Sequence, residues 1–156
     1  MIQLAIPGRG VVTLRYAVFD VNGTLATDGV LIDGVAERLN ELRQQLDVTM
    51  VTANTHGGQA NIDAQLGTTS TIIEPAKERE QKAAFVAALG AEQVVALGNG
   101  GNDVGMLAAA AIGIAVLGTE GLNVEALQAA DVVAGSIFDA LDLLLKPKRL
   151  IATMRR

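Results

Sequence analysis

Asp20 stands at the end of an apolar run that begins at Tyr16, with Asn22, Gly23 and Thr24 directly after it. Thr52 ends a second apolar run, Val48–Thr52, and is followed by Ala53 and Asn54. Lys82 lies in a helix-patterned segment, Arg79–Leu89, and Gly98-Asn99-Gly100-Gly101-Asn102-Asp103 follows a further apolar run, Val94–Leu97. A carboxylate such as Asp20 can take a phosphoryl group covalently, dividing one hard transfer into two easier ones. The Thr52 hydroxyl can donate to a phosphoryl oxygen, and the Lys82 ammonium can pair with the charge that develops there. Gly23 lets backbone amides approach an anion closely. Ala53, Asn54 and Asn102 stand beside these groups as candidate substrate contacts. Magnesium takes hard oxygen ligands and keeps several waters. Its candidate ligands are Asp20, the backbone carbonyl of Asn22, and Asp103, with Asn99 as a neutral fourth or outer group.

The elements that must position these residues alternate along the chain. Ile2–Ile6 and Val11–Leu14, around Pro7-Gly8, read as a hairpin. Tyr16–Val21 reads as a buried strand, and Asp28-Gly29 between Leu25-Ala26 and Val30–Ile32 as a tiny hairpin. Val35, Leu39, Leu42 and Leu46 follow helical spacing. Strand Val48–Thr52, helix His56–Leu66, strand Ser70–Ile73 and helix Arg79–Leu89 come next. Strand Val94–Leu97, helix Asp103–Ala110, strand Ile112–Leu117, helix Leu122–Ala129 and strand Asp131–Ala134 complete the alternation. Ser136 with Asp139 resembles a capping box that opens a helix through Leu145. Such alternation predicts an α/β, Rossmann-like three-layer sandwich with a mainly parallel sheet. Ligands in such sheets sit beyond the carboxyl ends of the strands. Asp20, Thr52 and the segment Asn99–Asp103 all fall at such ends, so the fold rule places them on one rim.

The 156 residues suffice for one core, and 1–156 is expected to form one domain: hairpin 1–15, core 16–145 and helical tail 146–156. With one Tyr, three Phe and no Trp, that core must be built from Ala, Val, Leu and Ile. The absence of Cys excludes disulfides and thiolate metal sites. The longest apolar run, Leu107–Leu117, is broken by Gly113 and is too short to span a bilayer. The expected setting is therefore cytoplasmic, with no membrane partner. A net charge of −5 argues against nucleic acid. It also means that a phosphorylated substrate needs a metal ion or a placed lysine to enter the site. The basic residues Lys146, Lys148, Arg149, Arg155 and Arg156 read as a solvated helix end.

Taken together, Asp20-Val21-Asn22-Gly23-Thr24, Thr52, Lys82 and Gly98–Asp103 resemble, in order, the four motifs of the haloacid dehalogenase (HAD) superfamily. The resemblance covers roughly Tyr16 to Asp131, and is similar to the soluble relatives of the P-type ATPase phosphorylation domain and to capless sugar-phosphate phosphatases. It implies a capless HAD-like fold and a magnesium-dependent phosphohydrolase that passes through a phospho-aspartate on Asp20. It also implies a phosphorylated small molecule or a phosphoprotein as partner, with the uncapped site either open to water and large substrates or closed by a neighbouring subunit of a homo-oligomer (dimer or tetramer). Lys77 competes with Lys82 for the third motif; Lys82 is preferred because it lies within the helix that leads to the fourth. His56 reads as a surface residue at a helix start rather than as a catalytic base.

Two positions depart from the motifs. Position 22 is Asn where the family's phosphatases have the Asp that protonates the leaving group and activates water, and an amide does neither. Position 99 is Asn where the motif has Asp, so negative charge beside the metal falls. These departures predict slow turnover with a preference for good leaving groups. They also keep a second class open, a phosphate- and metal-binding regulatory module with impaired catalysis. A response-regulator receiver also uses Asp, Thr and Lys, but places its acidic pair early and its phosphorylated Asp later, the reverse of this order.

Overall fold

The computed structural model describes residues 1–54 and 57–156. Thr55 and His56, at the start expected for the second helix, lie outside the described residues. An antiparallel hairpin of β1 (Ile2–Ile6) and β2 (Gly10–Leu14) precedes β3 (Tyr16–Phe19). A small hairpin, β4 (Ala26–Thr27) with β5 (Val30–Leu31), leads into α1 (Val35–Leu42) and β6 (Asp47–Thr52). Then come α2 (Gln59–Leu66), β7 (Thr71–Ile72), α3 (Glu78–Ala88) and β8 (Val94–Gly98). The chain ends through α4 (Val104–Ala109), β9 (Ile112–Val116), α5 (Val124–Ala129), β10 (Val132–Ala134), α6 (Ile137–Leu145) and α7 (Pro147–Met154).

The central sheet has six strands in the order β10-β9-β8-β3-β6-β7, with every neighbouring pair parallel. Its strands are short and apolar on both faces because helices cover both. The two-residue period of a strand divides the core. Ala17, Phe19, Val95 and Leu97 face one layer with α1, α6, α7 and the β1–β2 hairpin. Val18, Val94 and Ala96 face the other with α3, α4 and α5. The hairpin and α7 thus share the same apolar cluster as the sheet, through Ile2, Leu4, Ile6, Leu14, Leu150 and Met154.

Local chemistry sets the helix ends. The Ser136 hydroxyl accepts from the Asp139 amide at the start of α6, and Asn123 Oδ1 accepts from the amides of Glu125 and Ala126 at the start of α5. Pro147 takes the first position of α7, where no amide donor is needed. The helical spacing that reaches Leu46 overstates α1. The helix stops at Leu42, and the chain turns so that the Asp47 amide donates to the Arg15 carbonyl and opens β6 beside β3. Leu46 stays buried without being helical. Among the described residues no helix is long and apolar enough to cross a membrane.

One close approach matters for the site, because it sets α3, which carries Lys82, against α4. A Cβ at Gly105 would stand 2.2 Å from the Arg79 carbonyl oxygen. Gly105→Ala should therefore destabilise the fold by about 1–3 kcal/mol through overpacking, even though Ala favours a helix over Gly by about 1 kcal/mol. Chemical denaturation checks this; a midpoint equal to or above that of the parent protein would show that the two helices separate at no cost.

Candidate active site

The loop that carries Asp20 is built on the end of β3. The Asp20 amide donates to the Leu97 carbonyl, which extends the β3–β8 ladder by one residue and fixes where Asp20 starts. The chain then folds tightly: the amides of Thr24, Leu25 and Ala26 all converge on the Val21 carbonyl. Val21 and Leu25 are fully buried beneath the loop. Gly23 has φ +80, and a Cβ there would lie 2.5 Å from the Asn99 side chain. Only glycine meets both demands, the left-handed backbone and the close approach.

Lys82 is the centre of the site. It is fully buried, and its Nζ lies 2.6 Å from Asp20 Oδ1 and 2.6 Å from Asp103 Oδ1. Burial pushes the Asp20 carboxyl up to about 7, helped by the nearby Asp103 charge and opposed by Lys82. Burial alone would lower the Lys82 ammonium, but the two carboxylates outweigh it and hold it above the ordinary lysine range. One cation therefore serves two carboxyl groups.

Asp103, expected among the metal ligands, is held by the protein on both oxygens. It is fully buried, with Oδ1 on Lys82 and Oδ2 accepting from the amides of Asn99 at 2.9 Å and Gly100 at 2.8 Å. Its oxygens are thus engaged in the protein, and its work is to anchor the lysine and the loop after β8. Gly98 makes this approach feasible, since a Cβ there would stand 2.5 Å from Asp103 Cγ.

The other expected residues fall into two groups. Thr52 is fully buried at the end of β6, and its Oγ1 accepts from the Asn54 amide at 3.1 Å and from Asn22 Nδ2 at 3.4 Å. Two accepted bonds leave its own hydroxyl proton to donate to an anion. Asn99 is tied twice: Oδ1 accepts from Thr24 Oγ1 at 3.2 Å and Nδ2 donates to the Gly121 carbonyl at 3.2 Å. These residues gather at the carboxyl ends of β3, β6 and β8. Asn102 and Asn54, expected as substrate contacts, each have a protein partner. Asn102 Nδ2 donates to Glu78 Oε2 at 2.7 Å, and Asn54 Oδ1 accepts from the Gln59 amide at the start of α2. Asn54 also carries φ +52, a left-handed conformation uncommon outside glycine. Ala53, half-buried, packs against the α3–α5 layer. Lys77 is exposed, and Lys82 is the lysine that reaches Asp20.

Three contributors lie beyond the residues singled out from sequence: the Thr24 hydroxyl, the Glu78 carboxylate and the Gly121 carbonyl. Glu78 has a local signal, an acid four residues before Lys82 on one helix. The Gly121 carbonyl has none, because any residue supplies one. Among the described residues no three His, Cys, Asp or Glu side chains cluster as a metal cage. Magnesium does not need one: it is commonly held by one or two carboxylates, waters and a substrate phosphate. The oxygens at the ends of β3 and β8 that are of the right kind for such a set belong to Asp20, Asn22, Asn99 and Asp103.

The chain is 45% identical over 64 residues to the uncharacterized protein MJ0073 of Methanocaldococcus jannaschii, which spans 41% of this chain and 69% of that protein. It is 42% identical over 38 residues to MJ0072 of the same organism, spanning 24% of this chain and 86% of that one. The chain belongs to the family of these proteins. No family model matches it. Among solved structures it is similar to the cobalt-bound deoxy-D-mannose-octulosonate 8-phosphate phosphatase of Haemophilus influenzae, with a TM-score of 0.70, 18% identity and coverage of 88% of this chain and 90% of that one. The corresponding phosphatase of Moraxella catarrhalis, in complex with magnesium ion, phosphate ion and KDO, gives a TM-score of 0.66 at 18% identity, covering 91% and 94%. A phospho-aspartyl intermediate analogue of phosphoserine phosphatase gives 0.64 at 16% identity, covering 86% and 99%. The chain thus has the HAD-like fold that these phosphatase structures share.

The Asp20 shift makes a pH prediction. Its folded pKa, about 7, lies above the unfolded value of 3.8. The folded state then holds the extra proton between these values, so this group lowers stability as pH rises through that window. In the presence of a chelator, Asp20→Asn should raise the melting temperature at pH 7.5 by a few degrees, and the gain should vanish near pH 4. A variant that melts below the parent at pH 7.5 would mean that the ionised carboxylate stabilises the fold.

Proposed function

We propose that this protein is a HAD-type phosphohydrolase that works through a phospho-aspartate on Asp20. The observation that carries the reading is the buried lysine 2.6 Å from the carboxylate at the end of β3. A protein that sought only stability would replace such a cluster with apolar side chains. Fold similarity to phosphatases supports it.

Lys82 holds Oδ1 of Asp20, so Oδ2 is the oxygen left to attack phosphorus. In the first step the Oδ2–phosphorus bond forms and the bond to the leaving oxygen breaks, the electron pair going with that oxygen. In the second, water attacks phosphorus, the Oδ2–phosphorus bond breaks, and inorganic phosphate and the free carboxylate result. Thr52 donates its hydroxyl to a phosphoryl oxygen, while Lys82 balances the charge on the transferring group. Magnesium, when held by Asp20, the Asn22 carbonyl and Asn99 Oδ1, supplies the remaining charge neutralisation. Asn22 gives the leaving oxygen no proton, so that oxygen must leave as an anion or take its proton from water. Acyl phosphates and phosphoanhydrides meet this requirement better than alkyl esters. The substrate class that follows is a phosphorylated small molecule or a phosphoprotein.

A second reading, a regulatory module that binds phosphate without appreciable turnover, is favoured by the Asn22 amide, which faces the Thr52 hydroxyl. Hydrolysis of acetyl phosphate with and without magnesium separates the two. The phosphohydrolase reading expects metal-dependent turnover that Asp20→Asn abolishes; phosphate binding without turnover would establish the module. General acid–base help is worth about 10²–10⁴-fold. Asn22→Asp should therefore raise the rate on an alkyl phosphate by at least about tenfold and leave that on acetyl phosphate much less changed. A folded Asn22→Asp protein with no gain on the alkyl ester would remove the role given to position 22.

A further inference from the structure

This inference rests on the phosphohydrolase reading and concerns the organic part of its substrate. We propose that a pocket beyond β9 and β10 receives that part, and that it is apolar: the substrate is the phosphate of a small aromatic or branched carboxylic acid.

The pocket encloses about 370 Å³ between the loop after β3, the turn after β9 and the start of α6. That volume lies within the range of small-molecule sites, roughly 300–1,000 Å³. Its walls include Ile32, Val116, Leu117, Ile137 and Phe138, and among the described residues that line it none is charged. Its hydroxyls have partners within the protein. Thr24 Oγ1 donates to Asn99 Oδ1, Ser136 Oγ donates to Asp139 Oδ2 at 2.7 Å, and the Thr27 and Thr119 hydroxyls share a hydrogen bond of 3.0 Å. A polyhydroxylated or charged body placed here would lose water without gaining matched partners, which is costly. An aromatic ring or branched chain gains from the same burial.

The pocket is joined to the site. Its near wall is Gly23 and Thr24, in the tight turn directly after Asp20. Gly118 is seated on the Gly23 carbonyl, where a Cβ would stand 3.0 Å from the oxygen. In the sheet only β8 separates β9 from β3. At about 4.8 Å per strand spacing, the ends of β3 and β9 lie roughly 10 Å apart, a distance that a phosphoryl group linked to a ring through an acyl bond can bridge. Position 22 narrows the chemistry further. With no acid there, the leaving oxygen must depart as a stable anion, which a carboxylate supplies and an alcohol does not. The bond between phosphorus and the acyl oxygen breaks, and its electron pair leaves on the carboxylate.

Steady-state hydrolysis of benzoyl phosphate and acetyl phosphate, with magnesium and corrected for spontaneous decay, compares leaving groups of similar acidity that differ in their bodies. The value of kcat/KM should be at least tenfold higher for benzoyl phosphate. The gain should come mainly through a lower KM, because contacts to the body are made in the ground and transition states alike. Leu117 is 48% exposed, so substitution there spares the core. Leu117→Asp puts a charge on the pocket wall and Leu117→Trp fills the space; each should cut the benzoyl-to-acetyl ratio at least fivefold. Values of kcat/KM within twofold of each other on the two substrates would overturn the proposal, and so would folded Leu117 variants that both keep the parent ratio. Either result leaves the phosphohydrolase reading standing, whereas failure to hydrolyse both phosphates removes it and the pocket assignment together.

Discussion

A lysine ammonium removed from water must be matched by charge, and in this protein two carboxylates from distant parts of the chain do so at once. Lys82 comes from the second turn of α3, Asp20 from the end of β3 and Asp103 from the loop before α4. A buried ammonium without a partner would be strongly destabilising, so these three elements are fixed relative to one another by one requirement. Asp20 is placed by the same contact that satisfies the lysine. The geometry of the site and the packing of its layer are therefore a single problem.

That requirement explains why side chains are absent where they are. Gly98 lacks a Cβ because Asp103 occupies that space, and Gly105 lacks one because the Arg79 carbonyl does. Gly23 gives way to the Asn99 side chain. Each is a place where backbone comes closer to another element than any substituted residue allows. The positions that look like flexibility in the sequence are contact points in the fold, and they hold α3, α4 and the two rim loops at the spacing the buried charges need.

The electrostatics of the site are restrained compared with a metal cage. Two acids engage the lysine, and the two neighbouring positions, 22 and 99, are amides that keep shape while withholding charge. Each amide is held by polar partners: Asn22 faces Thr52, and Asn99 spans Thr24 and Gly121. Charge at the rim is thus kept low in a protein whose overall charge is −5.

The sequence by itself determined the alternation of strands and helices, the apolar composition of both sheet faces and the order of the polar residues at strand ends. These depend on periodicity and turn chemistry, which are local. The parallel sheet follows from them through the handedness of crossovers. Tertiary structure alone decided where the side chains point. It turned Asp103 to Lys82, Asn102 to Glu78 and Asn54 to the start of α2, and it brought Lys82, already preferred over Lys77 for its helix, against Asp20. It also ended α1 at Leu42, where spacing alone would carry the helix to Leu46, because β6 had to meet β3. The reason is the same in each case: a side chain's partner is set by which backbone approaches it from elsewhere in the chain, and one-dimensional spacing carries no record of that approach.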